Sequence, residues 1–277
     1  MDAANQEIDH LIQQAEQEHN AGRWPEAVQL YSRVLELDPE FVPAYVQRGL
    51  IVREMGDIQS ARQDFDRAIE LDPNYAPAYY GRGWVRHALD DYQGELEDAQ
   101  TAIHLDPGNA EMYFIRLGAA YHGLGEYEQA LDFYTRAINA HPDEEGIIYN
   151  RALCYYDMGD YKSALADLNR ALELDPDWPW ALRARGQAYA ALDDGPHAIS
   201  DLTDAIKHAP DDAGSYLYRG LVYSAMDYVE WAKDDLQHVL ALTDDPDIRK
   251  AAEDELAELG SGGKGNKVSS FLKRLFD

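Results

Sequence analysis

The chain has a single cysteine, Cys154, among 277 residues. One thiol excludes an internal disulfide and any cysteine-based metal cluster. Cations are scarce: 24 Lys and Arg stand against 52 Asp and Glu, for a formal net charge of −28. Phosphate binding needs clustered Lys and Arg, so nucleic acid is not an expected partner. A charge of this size favours solubility and basic or apolar ligands. No apolar run reaches the ~18 residues of a membrane span. The opening MDAANQEIDH has neither a basic nor an apolar stretch, so no secretion signal is read there and a cytoplasmic location is expected. Neither a nucleophile–base–acid set nor a Gly-rich phosphate loop stands out. The expectation is a non-enzyme with no cofactor and no metal.

What is present is a period. Leu-Asp-Pro, or a close variant, ends at Pro39, Pro73, Pro107, Pro142, Pro176 and Pro210, with steps of 34, 34, 35, 34 and 34 residues. A fixed period of this length marks a solenoid, whose stacked units share a core that none could bury alone. Hydrophobic residues make up 45%, enough for such a core. With each proline at position 32, units begin at Ile8, Val42, Ala76, Glu111, Glu145, Pro179 and Ala213. Position 8 is always Gly or Ala, position 20 is Ala in six of seven units, and position 27 is Ala or Val. Apolar residues at 4, 8 and 11, then at 20, 24 and 27, are spaced as on one face of a helix, twice per unit. Position 15 is Gly22, Gly56, Gly125 or Gly159, and Asp90, Asp193 or Asp227 elsewhere, a helix-ending site. The proline at 32 stops the second helix. Each unit is thus expected to be a hairpin of two antiparallel helices.

Small residues at 8, 20 and 27 with Pro at 32 make the chain resemble the tetratricopeptide repeat (TPR) family, most clearly in GDYKSALADLNRALELDPDW, residues 159–178. The resemblance covers residues 8–246 as seven repeats. It implies an all-α, right-handed α-solenoid with first helices lining a concave groove, and a protein-binding scaffold or adaptor. Residues 1–7 form an N-terminal extension, 247–260 a capping helix, 261–266 a Gly-rich flexible linker and 267–277 a basic amphipathic segment. In the family, positions 2, 5, 9 and 12 face the groove. Carried over, these include Val46, Leu50 and Arg53; Tyr80, Trp84 and His87; Ile115, Ala119 and His122; Tyr149, Leu153 and Tyr156; Trp180, Arg183 and Gln187; and Leu217 and Leu221. Aromatics and Arg are the residue types enriched in binding hot spots. A protein or peptide partner is expected, its identity open. His87 and His122 lack a third ligand and make no metal site. The lysines and asparagines of the family's carboxylate clamp for chaperone C-termini do not recur over any three units.

Six units carry an Arg followed 16 residues later by an Asp: Arg48, Arg82, Arg116, Arg151, Arg185 and Arg219, with Asp64, Asp98, Asp132, Asp167, Asp201 and Asp235. Positions equidistant from a hairpin bend lie level, so each pair is expected to bridge its two helices. The pattern breaks at Glu95, which occupies an Ala site opposite Gly83, and at the one-residue insertion that follows. A tolerated irregularity and a bend near residues 94–118 are both open.

Val268, Phe271, Leu272, Leu275 and Phe276 recur at helical spacing, flanked by Lys267, Lys273 and Arg274. Residues 261–277 carry +3, so residues 1–260 carry −31 against −28 for the whole chain. So short a helix is marginal alone and needs a surface. A protein, the chain's own groove or that of a second copy, and an anionic membrane all fit the pattern, as does a disordered tail. A membrane-peripheral adaptor anchored by this segment is the alternative functional reading.

Overall fold

A computed structural model describes residues 3–261. These residues form fifteen α-helices, one 3₁₀ turn and no strand. They divide by packing into two compact units, with the boundary in the chain between Ala140 and His141. In the first unit, hairpins pair α1 (Ala3–Asn20) with α2 (Trp24–Leu37), α3 (Val42–Glu54) with α4 (Ile58–Leu71), α5 (Ala76–His87) with α6 (Tyr92–Leu105), and α7 (Ala110–Gly123) with α8 (Tyr127–Ala140). In the second, α9 (Glu145–Asp157) pairs with α10 (Tyr161–Leu174), α11 (Pro179–Ala191) with α12 (Gly195–His208), and α13 (Ala213–Ala225) with α14 (Val229–Leu242). A final helix, α15 (Pro246–Gly260), packs on both α13 and α14.

Local chemistry sets the hairpin ends. All seven residues at position 15 are left-handed, with φ of 73–86° at the glycines and 57–62° at Asp90, Asp193 and Asp227. The Asp side chain tolerates that region better than most. One residue on, the carboxylates of Asp57, Asp91, Asp160 and Asp194 cap the next helix by accepting the backbone N–H of Ser60, Gly94, Ser163 and His197. The recurring Leu-Asp-Pro closes the second helix. Asp38 and Asp72 donate their N–H groups to the carbonyls of Val34 and Ala68, and their carboxylates accept from the N–H two residues ahead. The next first helix then reaches back: the Tyr45 and Tyr79 hydroxyls donate to the carbonyls of Pro39 and Pro73.

Small residues let the helices touch. A Cβ on Gly118 would lie 2.7 Å from the Tyr134 ring, so bare backbone is what admits that side chain. Tyr134, Phe65, Leu168 and Leu202 at position 24 are all buried, each worth roughly 1.5–3 kcal/mol of apolar transfer for a side chain of this size. Cys154 is also buried, as a small core residue.

Five of the six Arg–Asp pairs form. Each Arg offers two parallel N–H groups to one carboxylate: Arg48 to Asp64 at 2.8 and 2.6 Å, Arg151 to Asp167 at 2.7 and 2.7 Å, and Arg82, Arg185 and Arg219 likewise. In four of them the third nitrogen of the fork, Nη1, turns to the preceding hairpin: Arg48 to Ser32, Arg82 to Asp66, Arg185 to Asn169 and Arg219 to Thr203, each 16 residues earlier. These four arginines therefore tie neighbouring hairpins as well as the two helices of their own.

Arg116 departs from the series. Its Nη1 donates to Glu95 Oε1 at 2.8 Å, in the preceding hairpin, and both side chains are buried. Asp132 is instead exposed beside Arg136, one helical turn on. The insertion explains the switch. A 3₁₀ turn at Pro107–Asn109 accommodates the extra residue, and Arg116 arrives one place early in the register, aimed at α6 rather than α8. Glu95 thereby occupies the site that the sequence assigns to a small residue. Gly83 opposite leaves the space, and the Arg116 stem lines the rest of it. An ion pair fills the site at the irregularity.

Candidate functional site

Within each unit the first helices touch one another: α3 with α5 and α5 with α7, then α9 with α11 and α11 with α13. These first helices carry the side chains that the family resemblance assigns to positions 5, 9 and 12. At position 5, Val46 and Leu217 are buried, while Tyr80, Ile115, Tyr149 and Arg183 are half-buried.

In the first unit, Val46 is swallowed, packed with Ala78 and Val85 in the core and closed to any ligand. Leu50, Arg53, Tyr80, Trp84, His87, Ile115 and His122 remain half-buried. Trp84 carries two arginines. Arg116 lies over its ring at 3.5 Å and Arg53 at 4.9 Å. Glu95 holds Arg116 through Oε1 and His87 Nδ1 through Oε2, the latter at 2.8 Å. Burial pulls the Arg116 pKa below its ordinary value, and the Glu95 charge opposes that pull. Tyr80 packs edge-on against Tyr113, ring centroids 5.7 Å apart. Tyr113 in turn donates its hydroxyl to Asp106. The result is an indole with two guanidinium groups over its ring, one of them held by a buried carboxylate.

In the second unit, Leu217 and Leu221 are core, because α15 lies over them with Ala251 and Ala252. They take no part in an open face. Tyr149, Leu153, Tyr156 and Arg183 are half-buried, and Trp180 is 53% exposed. Tyr149 packs on Trp178 with centroids 4.7 Å apart, and Tyr156 meets Tyr161 edge-on. Arg183 Nη1 donates to Asp212 at 2.6 Å. Burial raises the phenol pKa values of Tyr149 and Tyr218, and the nearby Arg183 charge partly offsets both. The Gln187 side chain also acts to lower the Tyr218 value. Burial raises that of Tyr156 too.

Sequence reasoning missed Arg116, Glu95, Trp178 and Tyr218. Trp178 precedes its helix and Tyr218 falls at position 6, outside the positions carried over. Glu95 and Arg116 did carry a signal, since both broke the pattern, but periodicity does not say that two breaks meet. His87 and His122 are engaged with Glu95 and, at 5.9 Å between rings, with Tyr127. Among the described residues no group of three His, Cys, Asp or Glu could hold a metal ion, and no helix is long and apolar enough to cross a membrane. The tail residues Val268, Phe271, Leu272, Leu275 and Phe276 lie outside the described residues.

Family models for the tetratricopeptide repeat match residues 46–110, 114–148 and 153–193, together about half of the chain. The chain belongs to the tetratricopeptide repeat family. Solved structures agree on the TPR fold. A tetratricopeptide repeat protein from Parabacteroides merdae is 17% identical with a TM-score of 0.68, over 90% of this chain and 98% of that one. The APC/C hetero-tetramer Cut9–Hcn1 is matched at 19% identity and TM-score 0.78, over 88% of this chain and 48% of that one. Yeast Tom70 is matched at 18% and 0.62, over 91% and 53%. This chain thus spans about half the length of the latter two. No curated protein matches it by sequence. TPR arrays are protein-interaction modules.

Proposed function

We propose that the chain is a protein-binding scaffold or adaptor that receives a peptide or helix of a partner on its first-helix groove. The carrying observation is the half-exposed Trp84, braced by Arg53 and Arg116 over a buried Glu95. A side chain already held in place loses little freedom on binding, so its contact area converts more fully into affinity. Tyr149, Tyr156 and the exposed Trp180 offer similar anchors in the second unit. The strongly acidic chain favours encounter with a partner whose apolar anchors are flanked by Lys or Arg. Among proteins of similar fold, Cut9 assembles with Hcn1 in a hetero-tetramer. The reading is tested by capturing partners from the native cell with the parent chain and with a Trp84→Ala/Tyr149→Ala double variant, then titrating each captured partner. Each true anchor should cost about 2 kcal/mol or more, with helix content unchanged. Full binding by a well-folded double variant would move the site off this face.

A further inference from the structure

The start of α14 breaks a rule that four other hairpins keep. Position 16 is a capping Asp before α4, α6, α10 and α12, and position 19 there is Ser, Gly, Ser and His. Before α14, position 16 is Tyr228, which makes no side-chain cap, and position 19 is Trp231. The helix forgoes a cap and shows two large aromatics to solvent: Tyr228 is 44% and Trp231 60% exposed. They form a cluster with Tyr223, with ring centroids 5.1, 5.4 and 6.2 Å apart. A local rule broken without structural return points to a surface under another demand.

The chain supplies an occupant. Helix α15 runs back along α13 and α14. Its Glu255 accepts a hydrogen bond from the hydroxyl of Ser224, next to Tyr223, and Leu259 shares a core cluster with Val229, two residues before Trp231. The chain therefore leaves α15 at the end of the bundle that carries the cluster. Six residues, 261–266, separate that exit from the segment 267–277, a reach of about 20 Å when extended. Charge agrees: residues 261–277 carry +3, and the exposed Asp227, Glu230 and Asp234 edge the aromatics, with one lysine among them, Lys233, paired to Glu230.

We propose that residues 267–277 of the same molecule seat their apolar face, Phe271, Leu272 and Leu275 foremost, on the Tyr223–Tyr228–Trp231 cluster, as an amphipathic helix on an aromatic surface. The test uses the full chain labelled with fluorotryptophan, the Trp231 fluorine resonance being assigned with Trp231→Phe. A Phe271→Ser/Leu275→Ser variant should shift the Trp231 resonance and leave those of Trp24, Trp84, Trp178 and Trp180 in place. In a second measurement, Trp231→Ser should speed trypsin cleavage at Lys273 and Arg274 roughly tenfold, because cleavage tracks the undocked fraction. An unmoved resonance, or equal cleavage rates, overturns the proposal. So does a shift that vanishes on dilution as the mass halves, which would seat the tail on a second copy. Loss of anionic-vesicle binding on tail substitution, with Trp231 unmoved, would assign the segment to lipid.

Discussion

Arg116 and Glu95 lie in successive hairpins, 2.8 Å apart and out of reach of water. Each depends on the other, since a buried charge left alone is far costlier than a buried pair. Glu95→Ala should therefore destabilise the protein by about 3–5 kcal/mol, whereas Glu97→Ala on the exposed side of the same helix should change little. Adding Arg116→Leu to Glu95→Ala should recover much of the loss. Urea unfolding of the four proteins decides this, and equal midpoints for Glu95→Ala and Glu97→Ala would refute it.

The regular pairs obey the same logic less severely, because their arginines are part-exposed. Arg151→Ala strands Asp167, which is buried against the neighbouring helix. It should cost about 2–3 kcal/mol, toward the lower end for a broken buried pair. Lys162→Ala, at an exposed site of α10, should stay within ~0.5 kcal/mol. Thermal unfolding compares them directly, and coincident melting curves would show that the ladder adds nothing.

Two glycines make a controlled contrast. Gly118→Ala drives a methyl to 2.7 Å from the Tyr134 ring, whereas Gly146→Ala in α9 meets nothing within 4 Å. Overpacking should cost the first about 1–3 kcal/mol. The second should be neutral or gain up to ~1 kcal/mol from helix propensity. If both substitutions have the same effect, the close approach of α7 and α8 is not what selects glycine.

The caps give a pH dependence with a definite sign. Hydrogen bonds from the Ser163 side chain and backbone hold the Asp160 carboxyl below its ordinary value of 3.8. A depressed folded-state pKa means that the stabilisation is complete above the unfolded value and is lost as pH falls through the folded one. The stability gap between the parent and Asp160→Asn should thus be flat from neutral pH to about pH 5 and shrink below pH ~4. Denaturant titrations across that range measure it. A gap that widens in acid would reverse the assignment.

The hairpins were legible because their signals are local. The left-handed turn residues, the Asp caps and the Leu-Asp-Pro closure act within a few residues, and the 34-residue period repeats them. The 16-residue Arg–Asp spacing was legible for the same reason, since a hairpin brings level positions together. The face was legible only in part. Tyr80, Trp84, Tyr149 and Arg183 stay half-buried, but Val46, at the register of Tyr80, is taken into the core, and α15 covers Leu217 and Leu221. The neighbour's placement decides exposure there, and a register position does not carry it.

The amino-acid sequence alone determined a stack of paired helices, the residues that turn and cap them, and the TPR family, because each follows from short-range backbone chemistry repeated at a fixed interval. The tertiary structure alone decided that Arg116 abandons Asp132 for Glu95, that Trp84 stands braced between arginines from α3 and α7, and that Tyr223, Tyr228 and Trp231 gather where the chain leaves α15. Those three relationships join residues from separate helices, and only the packed arrangement, which minimises buried unpaired charge and empty space, brings them together.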